Sequence, residues 1–255
     1  MRVAVAGGTG LVGRYVVEEL TAGGHEPVVL ARARGVDLVT GAGLDAALAG
    51  AQAVVDVSNL QTTGAKTSIA FFEKSGRNLS GSGARAGVRH QVLLSIVGLE
   101  RVPFGYYQGK LRQEEVLAKD GEVPWTVLRA TQFHEFAQQV LERVPGPLAV
   151  VPRMRTQPVA AREVARHLVG LVLGPPRGMA PELAGPRVEE MTDMARRLLR
   201  ARGQRRLLLP VRLPGRTGTA MAGGGNLPTG PGPRGTQTFD AWLAENAVRD
   251  GAKEG

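Results

Sequence analysis

The chain of 255 residues has no cysteine, which excludes a disulfide framework, a thiolate metal site and a cysteine nucleophile. Its four histidines, at positions 25, 90, 134 and 167, lie too far apart for the ligand spacing of a metal site. Aromatic residues make up only 4% of the chain, and nowhere do they interleave with basic residues as on a nucleic-acid-binding surface. No apolar run approaches a membrane span. The first residues run straight into an apolar strand rather than a leader peptide, so a cytoplasmic location is expected. Acidic residues are also in deficit, 23 against 32 basic ones, for a formal charge of +9. Much of the excess is arginine between positions 187 and 216. Such a balance suits nucleic acid, acidic lipid or anionic ligands. It equally reflects the arginine-for-lysine bias of a high-GC bacterial genome. With no aromatic interleaving and no apolar span, neither a nucleic-acid partner nor a membrane is expected.

Glycine is plentiful, and its placement near the start is informative. Residues 2–6 (RVAVA) read as a short buried strand. GGTGLVG follows, and then a helical face carrying Val12, Val16 and Leu20. Strand, glycine turn and helix in that order form the setting in which such a motif binds a dinucleotide. Gly7 allows the tight turn out of the strand, Gly10 lets backbone approach a pyrophosphate, and Gly13 lets the helix pack on the strand. Gly8, Thr9, Leu11 and Val12 complete the cradle, with the amides of the helix N-terminus facing the phosphates. The spacing Gly7-x-x-Gly10-x-x-Gly13 resembles that of the short-chain dehydrogenase/reductase superfamily, in its extended and atypical branches.

The second strand, EPVVLA at 26–31, ends in Arg32, with Arg34 close behind. An acidic residue at this place holds the ribose 2′-hydroxyl of NAD, whereas arginine accommodates the 2′-phosphate of NADP. Arg32 and Arg34 therefore point to NADP(H), with NAD(H) second. Residues 36–39 read as a short third strand, with Asp37 where related proteins carry an acid near the adenine. After a brief helix at 44–48, strand AVVDV at 53–57 delivers Ser58 and Asn59 to the crevice where cofactors lie in doubly wound sheets. A helix spans about 68–86 with Ile69, Phe72 and Leu79 inward, followed by strand HQVLLSIVG, whose C-terminal end carries Ser95.

FGYYQGKLRQEEVL comes next. Tyr106 and Lys110 stand four apart, so on a helix they share a face. The pair is similar to the superfamily's tyrosine–lysine signature, and Ser95 completes its serine–tyrosine–lysine set. Tyr107 offers a second phenol one residue on. PWTVLRATQF at 124–133 resembles the "WTILRPxxF" element of NmrA-like and atypical reductases, with Ala130 in place of the usual proline. By that resemblance Thr131, Gln132 and Phe133 face the nicotinamide or substrate. Gln157-Pro158-Val159 resembles the "xPVxxxDVA" element, with Glu163 for the aspartate. Further along, helices are expected at 161–173, 188–202 and 239–245, strands at 149–151 and 207–211, and an irregular glycine- and proline-rich loop at 216–235.

These readings combine into an α/β chain: a Rossmann-type doubly wound parallel sheet with a small C-terminal substrate-binding region. The expected boundaries are 1–135 for the dinucleotide-binding core and 136–255 for the smaller region, interleaved with the core. The resemblance implies an NADPH-dependent oxidoreductase that reduces a small carbonyl, quinone or enone. Tyr106 would be the general acid, its pKa lowered by the ammonium of Lys110. Lys110 would also hold the nicotinamide ribose, and Ser95 would hydrogen-bond the reacting oxygen. A second reading is a non-catalytic NADP(H) sensor acting through a protein partner, to which Glu114, Glu115 and the basic helix after Arg187 would contribute. A monomer or a homodimer fits either reading.

Overall fold

The computed structural model describes residues 1–251, and side chains to residue 246. By internal contacts they form two units. The first comprises Met1–Leu99, Phe104–Arg129 and Ala161–Pro181, and the second Glu100–Pro103, Ala130–Ala160 and the described residues from Glu182 onward.

In the first unit the chain alternates strand and helix: β1 (Arg2–Ala6), α1 (Leu11–Ala22), β2 (Glu26–Leu30), α2 (Leu44–Leu48), β3 (Ala53–Asp56), α3 (Ala65–Arg85), β4 (His90–Ile96) and α4 (Gly105–Glu115), then β5 (Trp125–Ala130). A π turn, Val116–Asp120, prolongs α4. α6 (Ala161–Val172) and the two-residue β8 (Gly178–Met179) complete the unit. The sheet order is β2-β1-β3-β4-β5-β8. β1 pairs in parallel with β2 and β3, β3 with β4, and β5 with β8. The order reverses around β1, which opens the crevice expected of a doubly wound sheet at the carboxyl ends of β1 and β3.

Strand residues are apolar on both sides because helices cover both. Ala4, Ala6, Leu30 and Val54 pack with Leu44 and Leu48 of α2 and Leu79 of α3 in one cluster. The alternate residues Val3, Val5 and Val55, also fully buried, point to the opposite face. α1 packs against α6 and α3 against α4. On the polar flank of the first pair, Arg162 reaches Glu18 at 2.7 Å and lies over the Tyr15 ring at 4.5 Å.

The second unit holds α5 (Phe136–Glu142), β6 (Leu148–Pro152), β7 (Arg155–Thr156), β9 (Glu189–Glu190), α7 (Met191–Ala201), β10 (Leu207–Val211), α8 (Gly215–Ala222) and α9 (Phe239–Gly251). β10 and β6 pair in parallel, β7 and β9 antiparallel. Phe239 and Trp242 stack with ring centroids 5.6 Å apart, and His134 packs against both.

Two local expectations fail. Residues 36–39 form no strand: Gly35 and Gly41 take positive φ, and Asp37 Oδ1 accepts the amides of Val39 and Thr40 to close a turn. Those two amides hold the Asp37 carboxyl below its ordinary range. The segment 216–235 is not wholly irregular, because its first part is α8. The threonines, alanines and methionine there continue the helix, and Gly218 permits a contact that no side chain would.

Candidate functional site

The loop from Gly7 to Gly13 has the geometry its sequence implies. Gly7 has φ +78°, and a Cβ there would lie 2.7 Å from the Val57 carbonyl oxygen. A Cβ on Gly13 would lie 2.1 Å from the Gly7 carbonyl oxygen, so the first turn of α1 rests directly on the loop. Gly8 is buried, with Val29 and the Val5 carbonyl around it, while Thr9 is exposed. Gly10 differs from these glycines: its Cβ position meets only the Gly7 oxygen, at 3.2 Å, and otherwise faces open space. The first bond of the helix runs from the Arg14 amide to the Gly10 carbonyl. The amides of Leu11, Val12 and Gly13 are therefore left without an intrahelical acceptor. Gly10, the N-cap, supplies no side-chain cap, and the first turn carries no acid.

Arg32 and Arg34 form a single 3-10 turn directly after β2. Both are exposed, and neither has an ion-pair partner among the described residues. Ser58 and Ser95 stand at the ends of β3 and β4. Both are buried, and neither Oγ has a hydrogen-bond partner among the described residues. A buried hydroxyl without a partner is costly unless something supplies one.

Tyr106 sits in the first turn of α4. This helix lies close on α3 because Gly109 faces Ser68, where a Cβ would be 2.0 Å from Ser68 Oγ. Ser68 Oγ in turn donates to the Tyr106 carbonyl at 3.1 Å. The phenol hydroxyl donates to Asn59 Oδ1 at 2.7 Å, which joins two residues that sequence reasoning had placed at one crevice. Burial raises the Tyr106 pKa above the ordinary phenol range, with Tyr107 adding to the effect. The expected lowering by Lys110 is thus absent. Tyr107 is itself buried and packs edge-on against Phe104.

The reason lies in where Lys110 points. The residue is 3% exposed, and its ammonium donates to the Leu94 carbonyl at 2.8 Å and to Gln113 Oε1 at 2.6 Å. It also lies over the Phe72 ring at 4.8 Å, and Tyr106 packs edge-on with the same ring. Gln113 Nε2 donates onward to Asp56 Oδ2 at 2.8 Å, and Asp56 Oδ1 accepts the Ser58 amide at 2.9 Å. The carboxylate can only accept, so the amide of Gln113 is oriented with its oxygen toward the lysine. Burial depresses the Lys110 pKa to about 8, against the pull of Asp56 and Glu114.

Beside this chain, Glu114 is buried and forms a two-point ion pair with Arg129, at 2.9 and 2.6 Å. It ties α4 to β5 instead of lying on the solvated face of the helix. Sequence reading passed over Asp56 and Gln113. The available signal was a lone acid ending an apolar strand and an amide three residues past the lysine, on its face.

Thr131 and Phe133 belong to the second unit. Thr131 Oγ1 donates to the Gln157 carbonyl at 2.6 Å, and its amide bonds Leu183. Phe133 is half-buried and bridges to Val159. Among the described residues no group of three or more His, Asp or Glu side chains is arranged to hold a metal ion, and no helix is long and apolar enough to cross a membrane.

No protein-family model and no curated protein matches the chain. Solved structures do. A short-chain dehydrogenase/reductase superfamily protein from Agrobacterium tumefaciens, with bound NAD, superposes with a TM-score of 0.69 at 18% identity, covering 100% of this chain and 99% of that one. An NADPH-dependent quinone oxidoreductase from Escherichia coli, complexed with NADPH, gives 0.70 at 19% identity over 96% and 99%. The UDP-glucose 4-epimerase of Thermus thermophilus, complexed with NAD, gives 0.66 at 19% over 96% and 93%. At these identities the likeness shows the fold alone, the Rossmann-type parallel sheet that these three structures share with this chain.

Proposed function

We propose that this protein is a nicotinamide-dinucleotide-dependent oxidoreductase that uses NADPH in preference to NADH and reduces a small carbonyl, quinone or enone. The observation that carries this reading is the Gly7–Gly13 loop. Gly7 and Gly13 are closed by backbone contacts, while Gly10 is open beside an uncapped helix N-terminus. That combination leaves room and donors for a pyrophosphate. The unpaired guanidiniums of Arg32 and Arg34 suit a 2′-phosphate, and the unpartnered hydroxyls of Ser58 and Ser95 suit the polar groups of a ligand. A nicotinamide dinucleotide of either kind is also supported by the fold shared with proteins solved with NAD and with NADPH. The NmrA-like branch rests on the sequence elements at 124–133 and 157–163.

When bound, the dinucleotide supplies a hydride. The chain's own residues would supply the proton and the geometry. Tyr106 holds its proton firmly, so it acts as a donor to a developing alkoxide and not as a base. Asn59 aims the phenol and gives it up when a better acceptor arrives. Ser95 donates a second hydrogen bond to the same oxygen. Lys110 has committed protons to Leu94 and Gln113, and a third remains for a ribose hydroxyl.

The test is a titration of NADPH and NADH, followed by NADPH oxidation across a panel of quinones, enones and ketones. Binding of NADPH with turnover on one of these classes is expected, together with loss of binding in Gly10→Val. A wild type that binds neither dinucleotide overturns the reading. Tight NADPH binding with no turnover on any class would replace the enzyme by a dinucleotide sensor.

A further inference from the structure

Four of the eight large apolar side chains that stand exposed among the described residues lie together in the second unit: Val144, Leu148, Leu207 and Leu209. β6 and β10 pair in parallel with Leu148 beside Leu207 and Val150 beside Leu209. Alternation sends these side chains to one face of the pair and Ala149 and Val151 to the other. Ala149 and Val151 are buried where α5 and α7 pack. The first face stays open to solvent, with Leu207 73% and Leu209 45% exposed. Arg206 fixes this end of the pair. Its guanidinium donates to the Leu141 carbonyl at 2.8 Å, the Leu148 carbonyl at 2.9 Å and the Val144 carbonyl, and the Leu207 amide donates to the Pro147 carbonyl at 2.8 Å. Scattered exposed apolar residues are ordinary, but a group held together in this way marks a contact surface.

The charge around this group has one sign. Arg143 precedes Val144, and Arg200, Arg202 and Arg205 lead from the end of α7 into β10. None of the four has an ion-pair partner among the described residues, whereas Arg196 and Arg197, earlier on α7, are paired with Asp193, Glu189 and Asp240. The segments 142–148 and 200–209 hold a single acid, Glu142. Part of the arginine excess at 187–216, which the dinucleotide site does not use, is thus gathered beside the apolar group.

We propose that this end of the second unit docks on an anionic membrane surface, with Val144, Leu148, Leu207 and Leu209 entering the interface and the arginines meeting the headgroups. Apolar side chains flanked by unpaired arginines match a surface whose headgroups are negative and whose acyl chains begin just beneath them. A second copy of the chain is disfavoured, because a two-fold contact would set the arginines against their own counterparts. Sheet extension is disfavoured too. The Leu207 amide and the Val211 carbonyl are bound on the β6 side, so Leu208 and Pro210 hold the outer edge of β10, and Pro210 has no N–H to give. Four side chains also fall short of the roughly 20 residues a side on which a stable protein interface rests. The group comes from two segments far apart in the chain and involves no continuous apolar span, so the sequence alone pointed to no membrane.

The full chain is sedimented with vesicles of equal parts phosphatidylglycerol and phosphatidylcholine, and with vesicles of phosphatidylcholine alone, at low and at physiological salt. Cosedimentation with the mixed vesicles is expected, weaker at the higher salt, with little on the neutral ones. Leu207→Ser with Leu209→Ser should lower the partition coefficient by about tenfold or more. Arg200→Gln with Arg205→Gln should lower it by about 25-fold, near fivefold for each charge. All four side chains are exposed, so circular dichroism and NADPH affinity should stay as in the wild type. The proposal is overturned if the wild type stays in the supernatant with both vesicles, if it binds both equally, or if the variants bind as the wild type does. Analytical ultracentrifugation covers the other occupant: a wild-type dimer that the two serines turn into monomers assigns the face to a second copy and overturns the membrane. NADPH titration does not depend on any of these outcomes, so this proposal and the dinucleotide reading fail separately.

Discussion

Replacing Lys110 by methionine isolates the energetics at the centre of the site. Methionine keeps the length and apolar stem of the lysine but cannot titrate. In the folded protein burial lowers the Lys110 pKa from 10.5 to about 8. At about 1.4 kcal/mol per pH unit, the difference corresponds to about 3 kcal/mol. Below pH 8 the ammonium is charged in both folded and unfolded chains, and this penalty is fully present. Between about 8 and 10.5 the unfolded chain binds one more proton than the folded one, so stability rises with pH as the penalty is relieved. The methionine variant lacks this contribution. At neutral pH the substitution also strands the Leu94 carbonyl and Gln113 Oε1, at about 1–3 kcal/mol each, which offsets the relief. The informative quantity is consequently the difference between the two proteins as a function of pH, in which the other titrating groups cancel. Urea unfolding of wild type and Lys110→Met at pH 7, 8, 9 and 10 measures it. Wild type should gain on the variant by about 2–3 kcal/mol from pH 7 to 10. A difference that stays flat over this range would refute the claim that Lys110 is held in a dry, cation-disfavouring place.

Other perturbations probe the remaining parts. Gly13→Ala should destabilise the fold severely, since its Cβ would lie 2.1 Å from the Gly7 carbonyl oxygen, whereas Gly10→Val should melt near the wild-type temperature and lose NADPH binding; thermal melts and a cofactor titration check both. Arg32→Ala with Arg34→Ala should weaken NADPH by about tenfold and leave NADH unchanged, measured by fluorescence titration. Glu114→Gln should cost about 2–3 kcal/mol in urea unfolding, because it takes from the half-buried Arg129 guanidinium the carboxylate that pairs with it at two points. Tyr106→Phe should lower kcat by about 10²-fold or more with little effect on NADPH affinity, while Tyr107→Phe should leave kcat within a few-fold of wild type, since it is the Tyr106 phenol that donates to Asn59; steady-state kinetics with the best panel substrate decides.

The parts of the fold legible in the sequence are those set by local pattern. The strand–turn–helix at 2–20 and the strands at 53–57, 88–97 and 207–211 were visible because their apolar runs are bounded by glycine or polar residues. The false strand at 36–39 shows the limit of that signal. VDLV has the composition of a strand, yet the Asp37 side chain competes for the amides of Val39 and Thr40 and wins. α8 was hidden for the converse reason. Glycine at 215 and 218 reads as loop until the contact of Gly218 with Leu213 is known, and that contact is tertiary.

The site divides along the same line. A four-residue spacing does put Tyr106 and Lys110 on one helical face, but a shared face fixes only the Cα positions. The long lysine stem lets the ammonium leave the phenol for acceptors elsewhere: the Leu94 carbonyl of β4 and the Gln113 amide, itself turned by Asp56 of β3. Each acceptor is far from Lys110 in sequence or neutral in charge, so no pattern of residue types announces it. The consequence is chemical. A lysine held beside the phenol would make Tyr106 easier to ionise. A lysine held by Gln113 and the Leu94 carbonyl leaves the phenol protonated and the ammonium easier to deprotonate. On the proposed reading, proton donation then falls to Tyr106 in the direction of reduction. Binding of the positively charged oxidised nicotinamide is the event that would ease its ionisation in the reverse direction.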